Sequence, residues 1–150
     1  MKALALSLLF ASVATAALAE DRSIDLVGAI GRCTTFTIGT ASYGCTKLLY
    51  AHFPNGRTGF NIVTDRGAIM LSGGRDHQPD PTTYLLEIDT LRFGSADGRS
   101  REQRAAGECV ARLSIGGAYL HSLSCRAVAG SMPVTVGFVG NGSKVSVSHF

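Results

Sequence analysis

The sequence predicts an all-β protein, an antiparallel meander of about ten strands that forms a sandwich or a barrel. Three features of the 150-residue chain carry this prediction. Apolar and polar residues alternate over short segments, as they do in strands with one buried face. Glycine, twice as Asn-Gly, stands between these segments, where tight turns need it. The four cysteines form two pairs, each symmetric about a glycine.

The chain begins with a segment typical of a cleavable signal peptide. Lys2 precedes a short apolar stretch, and Ala17-Leu18-Ala19 supplies the small residues of a cleavage site. We therefore predict a signal peptide over 1–19 and a single β domain over 20–150. Such a protein would be exported, to the periplasm or to the outside of the cell.

Charge and hydropathy limit the partners of this domain. The formal net charge of the whole chain is only +3, and its arginines are scattered, so no nucleic-acid partner is expected. After the signal, no apolar segment approaches the roughly 20 residues that a membrane-spanning helix needs. We therefore expect no membrane span in the mature chain. The sequence does not indicate an oligomeric state.

The first predicted strand of the domain runs from Ser23 to Ile30 and leads into a cysteine hairpin. Cys33 and Cys45 are equidistant from Gly39, so a turn there sets them on opposite strands. An even number of cysteines in an exported protein is typical of disulfides. We predict the disulfide Cys33–Cys45.

Two further turns set the register of the next strands. A hairpin centred on Asn55-Gly56 pairs Leu49 with Ile62. A second turn, at Arg66-Gly67, pairs Ile62 with Leu71. Both hairpins place Ile62 on the same buried face, which is the expected outcome when neighbouring registers agree.

The middle of the chain combines one long strand with two segments that lack strand alternation. Tyr84 to Phe93 is predicted as a strand, with Leu86 and Ile88 on its apolar side. The segments Gly73–Pro81 and Gly94–Gly107 are predicted as polar loops. The second of these loops is expected to hold a short helical turn around 102–106.

The second pair of cysteines is predicted to close a hairpin in the same way as the first. Cys109 and Cys125 are equidistant from Gly117. Directly opposed residues of antiparallel strands have Cα atoms about 4.5 to 5.5 Å apart, which a disulfide tolerates. We predict the disulfide Cys109–Cys125. The wide spacing of all four cysteines does not match the close pairs of zinc sites, so no metal and no cofactor are expected.

The last predicted element is a hairpin at the C-terminus. Centring it on Asn141-Gly142 pairs Phe138 with Val145 and Val136 with Val147. The preceding segment Thr135–Val139 lines up with Thr58–Val63, and each follows a cysteine hairpin. This similarity indicates an internal repeat, about 20–81 and 82–150, although shared hairpin patterns could also produce it.

Residues whose side chains can bind a ligand or take part in catalysis are densest in the Gly73–Pro81 loop. This loop contains Arg75, Asp76, His77 and Asp80. Surface loops often carry binding residues, so these four are the candidate binding site. The alternative is a rigid polar turn formed around Asp-Pro.

We predict a non-enzymatic exported protein that binds a protein or a cell-envelope component, because the common catalytic motifs are missing from the sequence. One alternative is a small enzyme that uses His77 as a base and Arg75 to hold an anion. Another is a β-barrel that carries an apolar small molecule in a hollow lined by Phe36, Phe60 and Phe138.

Overall fold

The computed structural model describes residues 24–150, so the predicted signal peptide lies outside the described residues. The described part of the chain is built from strands and turns and contains no helix. Its strands are β1 (Asp25–Ile38), β2 (Ala41–Ser42), β3 (Lys47–His52), β4 (Thr58–Thr64), β5 (Gly67–Gly73), β6 (Arg75–Asp80), β7 (Thr83–Ser95), β8 (Ser100–Leu113), β9 (Leu120–Ala129), β10 (Met132–Gly140) and β11 (Ser146–His149).

Eight of these strands close into an antiparallel barrel. Their order is β1-β3-β4-β5-β7-β8-β9-β10, and β10 pairs with β1 to complete the ring. The remaining three strands attach to it, β2 and β11 to β1 and β6 to β7. The prediction of an antiparallel all-β meander is confirmed, and the barrel is the form that it takes. Closure removes the free edges that an open sheet of this size would expose.

The predicted polar loop Gly73–Pro81 is wrong, because most of it is strand β6. This strand continues the line of β5 along β7: Ser72 lies opposite Thr90, and Arg75 lies opposite Glu87, with no change of register. The barrel strand β4 reaches only as far as Thr58, which lies opposite Gly73. Strand β6 therefore projects past the rim of the barrel with β7 as its partner. All of its residues are exposed, so the segment lacks the alternation of apolar and polar residues from which a strand is predicted.

The second predicted loop, with its helical turn around 102–106, is also wrong. Strand β8 begins at Ser100 and pairs with β7 along this stretch. Glu102 and Arg104 are tolerated in this strand because they lie on the outer face of the barrel, which meets water. Arg92 of β7 and Glu102 of β8, which lie opposite each other, form an ion pair there.

The two hairpins in the first half differ from their predicted registers. Between β3 and β4 the loop is longer than the Asn-Gly pair, and the Phe53 N–H donates to the Arg57 carbonyl at 2.8 Å. Ile62 therefore lies opposite Leu48, not Leu49. In the next hairpin Ile62 lies opposite Ile69. Leu71, two residues further on, stays on the same buried face because side chains alternate with period two.

The predicted C-terminal hairpin is wrong. Strand β11 does not pair with β10 but continues its line along β1, so that Val147 lies opposite Val27 and Phe138 opposite Cys33. Asn141-Gly142 bulges out between the two strands, and the Ser143 N–H donates to Asn141 Oδ1 at 3.0 Å. The long strand β1 extends beyond the end of β10 and offers β11 a free edge.

Both predicted disulfides are confirmed. The Cα atoms are 5.1 Å apart in Cys33–Cys45 and 4.0 Å apart in Cys109–Cys125. Cys109 and Cys125 lie directly opposite each other on β8 and β9, and both are completely buried inside the barrel. The internal repeat stays a prediction.

Candidate functional site

The inside of the barrel is filled at mid-height and open at both ends. The middle is a layer of buried residues that line neither cleft: Ile62, Leu71, Leu86, Cys109, Leu123, Cys125, Val136 and Phe138. A cleft of about 310 Å³, the tyrosine cleft, opens at one end. A second cleft of about 390 Å³, the arginine cleft, opens at the other. The expected single hollow is therefore divided: Phe60 lines the tyrosine cleft, Phe36 lines the arginine cleft, and Phe138 is buried between them.

The tyrosine cleft is apolar over most of its wall. It is lined by Val27, Ala29, Leu48, Tyr50, Phe60, Gln78, Tyr84, Ala111, Leu113, Gly117, Leu120 and Val145. These residues come from β1, β3, β4, β6, β7, β8 and β9 and from the loops that follow β8 and β10. A concave, mostly apolar wall with a few polar groups is the usual form of a small-molecule site, and the volume is near the lower end of the range of about 300 to 1,000 Å³.

Three aromatic rings pack together on one wall of the tyrosine cleft. The ring centroids of Tyr50 and Phe60 are 5.5 Å apart, and those of Tyr50 and Tyr84 are 5.6 Å apart. Phe60 and Tyr84 complete the group at 6.0 Å. The Tyr50–Tyr84 and Phe60–Tyr84 pairs have the edge-to-face geometry that aromatic rings favour. This mutual packing holds the two hydroxyl groups in defined positions at the cleft.

A hydrogen-bond network is centred on the Tyr84 hydroxyl, and two of its members, Tyr50 and Tyr84, line the tyrosine cleft. Its oxygen lies 2.7 Å from Asp76 Oδ2, 3.2 Å from the Tyr50 hydroxyl and 3.2 Å from Thr58 Oγ1. A phenol has one proton to donate, and the carboxylate at the shortest distance is its natural acceptor. Tyr84 then accepts from Tyr50. In this arrangement Tyr50 donates to Tyr84 and Tyr84 donates to Asp76, so neither phenol has a proton left to donate to a ligand.

Burial keeps both phenols in their neutral form. Desolvation is the largest cause that raises the pKa of Tyr84, and the hydrogen bond that it donates to Asp76 adds to it. The pKa of Tyr50 is also raised, again mainly by burial, with smaller contributions from the charges of Asp76 and Asp25. Because the phenolic protons are committed, the lone pairs of the Tyr50 oxygen and of the Asp76 carboxylate are what the network offers to a ligand. The cleft therefore favours a ligand with a hydrogen-bond donor.

The structure separates the four residues of the predicted site. Asp76 lies opposite Leu86, so it is on the inward side of β6, next to Tyr84. Arg75 and His77 alternate with it and lie on the outer side, where Arg75 forms an ion pair with Glu87. Asp80 accepts hydrogen bonds from the backbone and side chain of Thr82 in the turn after β6, and these lower its pKa.

Sequence reasoning missed Tyr50, Tyr84 and Gln78. Tyr84 has the same parity as Leu86 on the long strand, so its inward direction could have been inferred from the alternation. The predicted β3–β4 register was wrong by one residue and placed Tyr50 on the outer face, so Tyr50 was not predicted as a site residue. Gln78 was placed in a loop, and only the pairing of β6 with β7 brings it over the cleft.

Comparison of the chain with protein-family models, with curated proteins and with solved structures finds no match. Across residues 24–150, no helix is long and apolar enough to cross a membrane. Within the same range, no three His, Cys, Asp or Glu side chains are grouped closely enough to hold a metal ion. The geometry of the tyrosine cleft is thus the main guide to function.

Proposed function

We propose that this protein is a non-enzymatic, exported binding protein that carries a small, largely apolar molecule in the tyrosine cleft. The observation that carries this proposal is the convergence of polar groups on one point of an otherwise apolar wall. Such a site gives affinity through the burial of apolar surface and selects its ligand through a few hydrogen bonds. Export agrees with the two disulfides, which persist in oxidising compartments, and with the predicted signal peptide.

The polar end of the cleft defines the class of ligand. Gln78 offers an amide, and Tyr50 and Asp76 offer acceptor lone pairs. A ligand with an amine, a hydroxyl or a phenol at one end of an apolar body would satisfy these acceptors. An anionic ligand would be repelled by Asp76.

A protein or envelope partner is the other ligand class expected from the sequence, and the exposed strand β6 is the feature that favours it. In residues 24–150 its only strand partner is β7, so its outer edge is free to add a strand. Pro79, the fifth of its six residues, has no N–H to donate, which limits strand addition at that end of the edge. The tyrosine cleft is therefore the better-supported site.

Binding to the tyrosine cleft can be tested with N-phenylnaphthylamine, a neutral fluorescent molecule with one N–H donor. We expect saturable binding to the oxidised protein with an increase in fluorescence. Val145→Asp places a carboxylate on the apolar wall and should weaken binding about tenfold or more, since a charge is costly on such a surface. The matched control is Val139→Asp, because Val139 is exposed on the outer wall of the barrel.

The role of the acceptors is tested with phenylnaphthalene, which has the same ring systems without the N–H. It should bind more weakly than the amine, because the acceptors at Tyr50 and Asp76 then have no partner. Absence of saturable binding, or equal loss in both valine variants, would overturn the proposal.

A further inference from the structure

We propose that the arginine cleft is a second, independent site, and that it binds a small organic anion with an aromatic or aliphatic body. This cleft lies at the opposite end of the barrel from the tyrosine cleft and shares no lining residue with it. Its lining residues include three that are apolar and three arginines: Phe36, Ile69, Phe93, Arg66, Arg99 and Arg101. The proposal does not depend on the function proposed for the tyrosine cleft.

The floor of the arginine cleft is apolar and belongs to the core. Phe36 and Ile69 are buried, and the ring centroids of Phe36 and Tyr43 are 5.4 Å apart. Two glycines bring the strands close together at the wall: a Cβ on Gly67 would collide with the carbonyl oxygen of Gly94. Gly67 also has a positive φ of 143°. The apolar part of a ligand can therefore pack against side chains that the fold already holds in place.

One arginine of this cleft lies on the inward face of the barrel. Across three neighbouring strands, Ile69 lies opposite Phe93, and Phe93 lies opposite Arg101. Directly opposed residues in a sheet point to the same side, so Arg101 is directed to the side of the buried Ile69. Cations are rare on an inward face unless they have a partner.

The charge of Arg101 is not neutralised by any acid in the described part of the chain. The side-chain oxygen of Gln103, once its amide is oriented to accept, lies 3.2 Å from Arg101 Nε, but this partner is neutral. Arg66, on the turn between β4 and β5, likewise forms no ion pair within residues 24–150. Both guanidinium groups thus remain available to an anion.

The third arginine of the cleft has a partner. Arg99 Nε donates to Asp97 Oδ2 at 2.7 Å. This hydrogen bond, with those from Ser95 and the Arg99 backbone, lowers the pKa of Asp97 to about 2. Asp97 therefore stays ionised and compensates Arg99 at physiological pH. The cleft keeps an excess of positive charge on Arg66 and Arg101.

A guanidinium over an apolar floor matches a ligand that has a carboxylate, sulfonate or phosphate at one end of an apolar body. The planar fork of arginine binds such oxyanions with two hydrogen bonds. The probe that fits is anilinonaphthalene sulfonate, which is N-phenylnaphthylamine with an added sulfonate. The two dyes have the same aromatic body, so their distribution between the clefts depends on the sulfonate.

The test is a fluorescence titration of the oxidised protein with anilinonaphthalene sulfonate. Arg101→Gln should weaken binding about tenfold, because one charge-assisted contact is lost, and adding Arg66→Gln should weaken it further. Arg101→Lys keeps the charge and should recover part of the affinity. The control is Arg75→Gln, at the opposite end of the barrel, which should leave binding unchanged. The side chains of Arg66, Arg75 and Arg101 are all exposed, so the variants should keep the wild-type melting temperature.

Three results would overturn this proposal. Unchanged affinity in the Arg66→Gln/Arg101→Gln variant would place the dye elsewhere. Displacement of the dye by inorganic sulfate at concentrations near those of the dye would show that the apolar floor is not used. Competition between the two dyes for one site would show that the clefts are not independent. If N-phenylnaphthylamine fails to bind while the sulfonate binds as expected, only the function proposed for the tyrosine cleft is lost.

Discussion

The two ends of this barrel are built on the same plan and differ in charge. Each has a cleft with an apolar floor that belongs to the core, and each places aromatic rings at the wall. At one end the charged group is a carboxylate, Asp76, bonded to the half-buried phenol of Tyr84. At the other end it is a pair of arginines, Arg66 and Arg101, without an acidic partner in residues 24–150.

This difference shows which parts of the chain decide the chemistry of each end. The alternating strand residues fill the middle of the barrel and form both floors. The charged residues come from the ends of strands, from a turn and from β6, where the chain leaves the barrel and side chains meet water. Changes at these ends should alter binding with little effect on stability, whereas changes in the middle should do the reverse.

The largest expected effect follows from removing the side chain that separates the clefts. Phe138→Ala should lower the free energy of unfolding by about 3 to 5 kcal/mol, because Phe138 is 1% exposed and its loss leaves a cavity. Urea denaturation measures this change. Val139→Ala, at the neighbouring exposed position, is the control and should change the free energy of unfolding far less. A small loss in Phe138→Ala would mean that the middle is not a tightly packed layer.

The two disulfides should differ in their effects on the clefts. Each closes a loop, of 12 and 16 residues by sequence separation, and each should stabilise the fold by about 3 kcal/mol. Cys33–Cys45 holds the segment that carries Tyr43 to the arginine cleft. Replacing both of its cysteines with serine should therefore weaken binding of the sulfonate dye and leave the neutral dye unaffected, as titrations with both dyes would show.

Exposure should also decide which disulfide is reduced first. Cys109 and Cys125 are completely buried, whereas Cys33 is partly exposed. Limited treatment with a thiol reductant, followed by alkylation and peptide mass analysis, should label Cys33 and Cys45 before the other pair. Simultaneous labelling of all four would contradict the difference in burial.

The smallest expected effect concerns the phenols at the tyrosine cleft. Tyr84→Phe should lower the free energy of unfolding by about 1 to 2 kcal/mol at neutral pH, because it removes a hydroxyl that is hydrogen-bonded to Tyr50, Thr58 and Asp76. Tyr43→Phe at the arginine cleft is the control, since the Tyr43 hydroxyl has no hydrogen-bond partner among residues 24–150. Urea midpoints of the two variants measure the difference.

The pH dependence of stability gives a second readout of the same phenols. In the unfolded chain a tyrosine ionises near pH 10, while the raised pKa values of Tyr84 and Tyr50 keep them protonated in the folded state. Above about pH 10 the folded state thus binds more protons than the unfolded state, so stability falls as the pH rises further. Tyr84→Phe should make this alkaline fall less steep. An equally steep fall in the Tyr84→Phe variant would show that other groups cause the loss of stability at alkaline pH.

The sequence predicted the parts of this protein that depend on local pattern. Alternation and turn residues predicted an antiparallel all-β domain. The symmetry of the cysteines about Gly39 and Gly117 predicted both disulfides, because a hairpin fixes which residues are opposed over short distances. The direction of Asp76 could not be predicted, because its segment looked like a loop. Only its pairing with Leu86 places it beside Tyr84.

The sequence by itself therefore determined the class of the fold and the covalent links between neighbouring strands. The tertiary structure decided the closure of the barrel by β1 and β10, the path of β11 along β1, and the joining of β5 and β6 along β7. The contacts of β1 with β10 and β11 link residues that are far apart in the chain. They depend on how all eight strands tilt and stagger to close, and not on the pattern of any single strand. Both clefts arise from this closure, since each collects its wall from strands distributed around the barrel.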